Sequence, residues 1–216
     1  MKVLIFGCTR GVGLEATKQA LARGHEVVAF ARRPAAVPAG ARVVTGDVMD
    51  APSVAAAFAD GFAPDAIVLA LGGAGIWSRD YVCSRGTENV LAAVRSARAA
   101  AGASAPPPRL VCCSSMGVGD SAPLIPGFVR WLLTHPLADK EPQERALRES
   151  GLPYVILRPT GLRNDAPRGR AALAVLEAQK LPTSAVARAD IAALMLDACA
   201  GDELLGKTVG VANLAV

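Results

Sequence analysis

Aromatic residues make up only 4% of the 216-residue chain, charged residues 19%, and histidine occurs twice. Scarce charge beside 52% apolar residues excludes a disordered or nucleic-acid-coating chain, which is marked by low hydrophobicity and a large net charge. The formal net charge is +4 and the basic residues are scattered, so no stripe of Lys and Arg tracks a phosphate backbone. No apolar run approaches the about 18 residues that a membrane-spanning helix needs. The four apolar residues Val3 to Phe6 that precede Gly7 are too few for a signal-peptide core, and export is not expected. The five cysteines, Cys8, Cys83, Cys112, Cys113 and Cys199, are odd in number and show no C-x-x-C spacing. They suggest neither a disulfide framework nor a zinc site, and reduced thiols in a cytoplasm fit best. His25 and His135 have no carboxylate or cysteine neighbours at ligand spacing, so no metal is expected. Cys113-Ser114-Ser115-Met116-Gly117 lacks the first glycine of a G-x-S-x-G elbow, which excludes the usual serine-hydrolase turn.

The order of apolar runs and helical periodicities is more informative. Strands are expected at Lys2–Phe6, Glu26–Phe30, Arg42–Gly46, Ala66–Leu71, Leu110–Cys113, Tyr154–Leu157 and Thr208–Val211. Helices are expected at Leu14–Arg23, Ala51–Ala59, Tyr81–Ala101, Pro126–Thr134, Lys140–Ser150 and Arg188–Ala200, with a polar stretch over Arg163–Arg170. This alternation implies an α/β fold, a Rossmann-type doubly wound parallel sheet with helices on both faces. Val3 to Phe6 and Ala66 to Leu71 are apolar at every position, as strands covered on both faces require. Residues 1–216 are read as a single domain, with a small substrate-side region near 115–140 and 160–185.

Gly7-Cys8-Thr9-Arg10-Gly11-Val12-Gly13 falls between the first strand and its helix. In that setting Gly7 permits the tight turn, Gly11 lets backbone approach a pyrophosphate, Gly13 lets helix pack on strand, and the helix N-terminus faces the phosphates. An NAD-specific fold places an acid about 20 residues beyond the turn. Here Arg32-Arg33 stand there instead, and their forks suit a 2′-phosphate, so the expected cofactor is NADP, with NAD possible. Asp47 is placed either to meet an adenine amino group or to serve as the N-terminal acid of the next helix. Val48 beside it, and Leu71, Gly72, Gly73, Ala74 and Gly75 after the fourth strand, stand at strand carboxyl ends, where ligands of such sheets bind.

The glycine turn is similar to that of short-chain dehydrogenases/reductases, and further segments resemble the atypical branch, especially NmrA-like and biliverdin-reductase-B or flavin-reductase-like members. They are Gly46-Asp47-Val48, Gly86 to Leu91, Cys112 to Ser115, Leu147 to Pro159 and Ser184 to Asp190. The resemblance adds Ser114 and Pro159 to the cofactor contacts, together with Thr9, Arg10 and Val12 of the turn. It implies Ser115 as the strand-end serine of the site. It also implies Lys140 as a polar residue of the acceptor pocket, the other reading being an i,i+4 pair with Glu144 on a solvated helix. Both serines can alternatively be read as caps of local backbone.

The usual catalytic Tyr-x-x-x-Lys is absent: Arg85 and Arg158 follow Tyr81 and Tyr154 at that spacing, Pro136 precedes Lys140, and Cys83 stands where extended members carry a catalytic Asn. A conjugated acceptor needs no such acid, because it delocalises the arriving charge. The expected activity is therefore hydride transfer from NADPH to a small flavin-, tetrapyrrole- or quinone-type acceptor, driven by stacking and proximity. A non-catalytic regulator that senses the nicotinamide redox state is the alternative, and an epimerase a third. Trp77, Phe128 and Trp131 are read first as core and second as a stacking surface, and Arg163, Arg168 and Arg170 as solvated residues that could meet acceptor acids.

Overall fold

The computed structural model describes residues 1–59, 61–73, 75, 77, 79–102, 106–169, 173–176 by their backbone, and 184–213. The elements in chain order are β1 (Lys2–Phe6), α1 (Gly11–Ala22), β2 (Glu26–Ala31), β3 (Arg42–Thr45), α2 (Ala51–Ala55), β4 (Ala66–Leu69), α3 (Val82–Ala101) and β5 (Arg109–Cys113). They continue with α4 (Gly127–Leu132), α5 (Thr134–Glu149), β6 (Tyr154–Pro159), β7 (Leu162–Arg163), β8 (Leu173–Leu176), β9 (Val186–Ala187), α6 (Arg188–Ala200) and β10 (Thr208–Asn213).

One sheet runs β3-β2-β1-β4-β5-β6-β10-β8, parallel throughout except that β8 lies antiparallel to β10. Alternate residues of β1 face opposite sides, and both sides are covered. Val3 and Ile5 pack with Ala16, Ala20, Ile191 and Met195 of α1 and α6. Leu4 and Phe6 pack with Val54, Val90, Leu91 and Leu147 of α2, α3 and α5. This is the doubly wound architecture expected of the apolar runs.

Several boundaries differ from expectation for physical reasons. β4 ends at Leu69 rather than Leu71: Ala70 N still donates to Phe6 O at 3.0 Å, but its carbonyl lies against Gly7 of the glycine turn. α2 stops at Ala55 and tightens into a 3₁₀ turn over Ala56–Phe58. α5 begins at Thr134, not Lys140, although it contains Pro136 and Pro142. Pro136 sits in the first turn, where no N–H is needed. Pro142 is held in the helix by α5 side chains bound to α3: Gln143 donates to Thr87 Oγ1 at 2.9 Å, and Asp139 accepts from Cys83 N at 2.8 Å. The polar stretch begins at the second residue of β7, which pairs with β9, and neither two-residue strand was visible as periodicity.

The core reading of three aromatics is corrected: Trp77, Phe128 and Trp131 are 64%, 73% and 71% exposed. The sheet interior is filled by Val, Ile, Leu and Ala with Phe6 and Phe30, and α4 buries none of its residues. No helix among the described residues is long and apolar enough to cross a membrane.

Candidate functional site

The cleft lies at the carboxyl ends of β1, β2, β4 and β5, and the glycine turn forms its floor. Gly7 has φ +83°, and a Cβ there would lie 2.2 Å from Ala70 O; at Gly13 it would lie 2.2 Å from Gly7 O. Those two glycines bring β4, the turn and α1 together. Gly11, at φ +57°, is different: a Cβ would meet only Arg188 Nε at 3.6 Å and Cδ at 3.8 Å. Packing closes two of the three glycine positions, and the third faces the cleft. At the start of α1, Arg10 provides no side-chain cap and the first turn holds no acid. The positive end of α1 therefore lacks a protein anion, a fitting cradle for phosphate. Arg10 reaches instead across the cleft floor, where its NH2 donates to Gly72 O at 3.2 Å and Gly73 O at 2.8 Å.

At the β2 end, Arg32, Arg33, Asp47 and Val48 line the same cleft as Gly7, Thr9 and Leu71. Arg32 NH1 stands 3.7 Å from Asp47 Oδ2, and both side chains are largely exposed. Of the two roles open to Asp47, capping α2 belongs to Asp50, whose Oδ2 accepts from Ser53 N at 3.2 Å. Asp47 Oδ1 takes Met49 N at 3.0 Å. Gly86 makes room for Val48, since a Cβ there would lie 2.9 Å from both of its methyl carbons.

At the β5 end the cleft is lined by Val12, Cys113, Ser114, Lys140 and Arg188. Ser114 is buried, and its hydroxyl donates to Glu144 Oε1 at 2.5 Å. Glu144 is itself clasped by Arg158, whose Nε donates to Oε1 at 2.9 Å and NH2 to Oε2 at 2.7 Å, with Arg148 NH1 adding 3.0 Å to Oε2. Burial alone would raise the Glu144 pKa, but the hydrogen bonds from Arg158 and Ser114 outweigh it and hold the carboxyl below the usual glutamate value. Arg158 NH1 also donates to Asp120 Oδ1 at 2.5 Å.

Two sequence readings change here. Lys140 does not pair with Glu144: its Nζ donates to Cys113 O at 3.0 Å, because Arg158 and Arg148 occupy the carboxylate. Burial opposes the Lys140 charge, yet its pKa lies above the ordinary lysine value, the Asp139 carboxylate beside it favouring the ammonium. Ser115 does not line this cleft. Its hydroxyl donates to Met116 O at 3.0 Å, the local backbone bond that was its other reading. The serine brought beside Lys140 is Ser114.

Pro159, also read as a cofactor contact, ends β6, and its carbonyl accepts Met116 N at 3.0 Å; it is not part of the cleft wall. Arg163 pairs with Asp165 at 2.9 Å, while Arg170 and Ala74 lie outside the described residues. Cys83 Sγ donates to Leu71 O at 3.5 Å, and burial pushes its thiol up to about 11, so it is neutral and a weak nucleophile. Reading the sequence missed Arg188 as a site residue; its one signal was membership of the Ser184–Asp190 segment.

A family model described as NAD(P)H-binding matches residues 7–202. The chain belongs to the NAD(P)H-binding family. Among solved structures similar to this member is ChuY of Escherichia coli O157:H7, described as an anaerobillin reductase, at 27% identity and TM-score 0.84, with 100% of this chain and 98% of that one covered. A protein assigned as an NAD-dependent epimerase/dehydratase from Bacillus halodurans is 25% identical with TM-score 0.80, covering 100% and 95%. A wide-type short-chain dehydrogenase/reductase from Veillonella parvula, solved with NADP, shares the fold at 17% identity and TM-score 0.72, covering 98% and 94%. The resemblance to NmrA-like and biliverdin-reductase-like proteins agrees with these matches, and the family brings a nicotinamide cofactor.

Proposed function

We propose that the chain is a cytoplasmic NADPH-dependent reductase that delivers a hydride to a planar conjugated acceptor of flavin, tetrapyrrole or quinone type. The observation that carries this reading is one cleft with an uncapped glycine turn and two arginines at one end, and Ser114 beside a charged Lys140 at the other. No tyrosine lines either part of it. The reductase among the similar structures supports the reaction class. When bound, the reduced nicotinamide supplies the hydride.

The residues divide the remaining work. Gly7, Thr9, Gly11 and Val12 receive the phosphates, with Gly13 packing α1 behind them, and Arg32 and Arg33 receive the 2′-phosphate. Because Ser114 gives its proton to Glu144, its oxygen offers only lone pairs to the cleft and orients a ligand N–H. The Lys140 ammonium stands where negative charge would develop on a reduced acceptor and stabilises it. Acceptor contacts are assigned to 115–140 and 160–185, within one domain. Trp131 supports the first of these, since it stays exposed and its ring meets that of Trp77 edge to face 6.5 Å away.

An NADPH-oxidation assay with FMN, FAD, biliverdin and quinones tests the proposal: turnover is expected with at least one. Binding of NADPH without turnover of any would favour the redox-sensing regulator. NADPH is expected to bind more tightly than NADH, and Arg32→Ala with Arg33→Ala to lose that preference by about ten- to hundredfold, the worth of a charge-assisted bond. Equal affinities in the wild type by calorimetry would remove this part. Ser115→Ala is expected to leave single-turnover hydride transfer close to wild type, about tenfold slower at the most, because its hydroxyl bonds Met116 O outside the cleft. A loss in the 10²–10⁴ range would assign proton chemistry to Ser115.

A further inference from the structure

We propose that Arg188, at the start of α6, grips the cofactor's pyrophosphate from the side opposite the glycine turn. The inference rests on the reading of a nicotinamide dinucleotide in the cleft, and adds a residue outside the glycine turn to its phosphate site. The Arg188 backbone is firmly placed, because buried Val186 and Ala187 pair with β7 immediately before it. Its Nε lies 3.6 Å from the position of a Cβ on Gly11, so the guanidinium borders the same opening as the turn. Arg188 also shares the cavity that holds Val12, Ser114 and Lys140, between the phosphate turn and the hydride end.

The charge on Arg188 is uncommitted. Its NH1 donates to the neutral amide oxygen of Asn164 at 2.8 Å, and no carboxylate among the described residues forms an ion pair with it. Arg158 and Arg163 differ, the first taken by Glu144 and Asp120 and the second by Asp165, while Arg10 spends its NH2 on two neutral carbonyls of the cleft floor. Charge arithmetic favours such a group. A pyrophosphate brings two negative charges, whereas a helix N-terminus offers the equivalent of about half a positive one. A guanidinium supplies a full charge and two parallel donors for phosphate oxygens.

Three probes separate this role from the others: NADPH, ADP-ribose 2′-phosphate, which keeps the pyrophosphate without nicotinamide, and 2′-AMP, which has no pyrophosphate. Arg188→Gln is expected to weaken the first two about ten- to hundredfold and leave 2′-AMP unchanged, with Arg188→Lys between wild type and Gln. Thermal melting of both variants checks that the fold persists. Unchanged affinity for ADP-ribose 2′-phosphate, or an equal loss for 2′-AMP, overturns the proposal. A wild type that binds neither NADPH nor NADH overturns the dinucleotide reading and this one with it, whereas tight wild-type binding that ignores Arg188 overturns this one alone.

Discussion

Glu144→Ala is expected to cost about 3–5 kcal/mol of stability, the usual loss when one partner of a buried ion pair is removed. Glu144 is fully buried, and the Arg158 side chain is 3% exposed. Without Glu144, Arg158 keeps Asp120, which is 78% exposed and stands in water, so the guanidinium stays desolvated and half-paired. At about 2–4 °C per kcal/mol for a chain of this size, the melting temperature should fall by roughly 6–20 °C. Urea unfolding of wild type and variant measures the change, and a loss below about 1 kcal/mol would show that the network relaxes onto water.

The same carboxyl sets an acid limit. Its folded pKa lies below the glutamate value of about 4.3, so its contribution is complete above that pH and is lost as pH falls through the folded pKa. Hydrogen bonding from Arg158 holds Asp120 down as well, in the same direction. Glu144→Gln should therefore flatten the acid limb of the stability profile.

Substitution within the glycine turn should produce two distinct failures. Gly13→Val is expected to prevent folding, because its Cβ would stand 2.2 Å from the Gly7 carbonyl oxygen, a backbone atom that cannot yield without opening β1 from α1. Gly11→Val meets only the flexible Arg188 side chain, at ordinary contact distance for the Cβ, so its main structural cost is a strained φ near +57°, about 1–3 kcal/mol. That cost is within the 5–15 kcal/mol typical of folded domains. The protein should fold and fail to bind NADPH, the branched side chain filling the phosphate's place. Calorimetry on a folded Gly11→Val variant decides, and retained NADPH binding would move the phosphates elsewhere.

The sheet was legible in the sequence because its signals are local. Val3 to Phe6 and Ala66 to Ile67-Val68-Leu69 declare strands covered on both sides, and a glycine turn between strand and helix declares itself by position. The hydride end was read less well. Ser114 and Ser115 are sequence neighbours, and which one enters the cleft depends on where β5 ends relative to β6, a long-range matter. Lys140 and Glu144 have the spacing of a helix-surface pair, but Arg158 on β6 takes the carboxylate, and only tertiary packing brings it there. Arg188 reaches Gly11 from the far end of the chain. The starting turn of α3 conceals its partner in the same way. Tyr81 offers it no side-chain cap, and Asp139 of α5 does so, accepting Cys83 N at 2.8 Å and Ser84 N at 2.9 Å.

One stretch of α5 thus fastens four parts of the protein at once: Asp139 the head of α3, Lys140 the end of β5, Gln143 its middle at Thr87, and Glu144 both Ser114 and β6. A change of acceptor preference during evolution would find no free position there, because Asp139, Gln143 and Glu144 are bound to the scaffold and Lys140 serves both the scaffold and the cleft. Innovation would be confined to the exposed surface of α4, which buries none of its residues, and to Trp77, which stands 64% exposed. Descendants of this sequence with new substrates should share an α5 that looks old and an α4 that looks new.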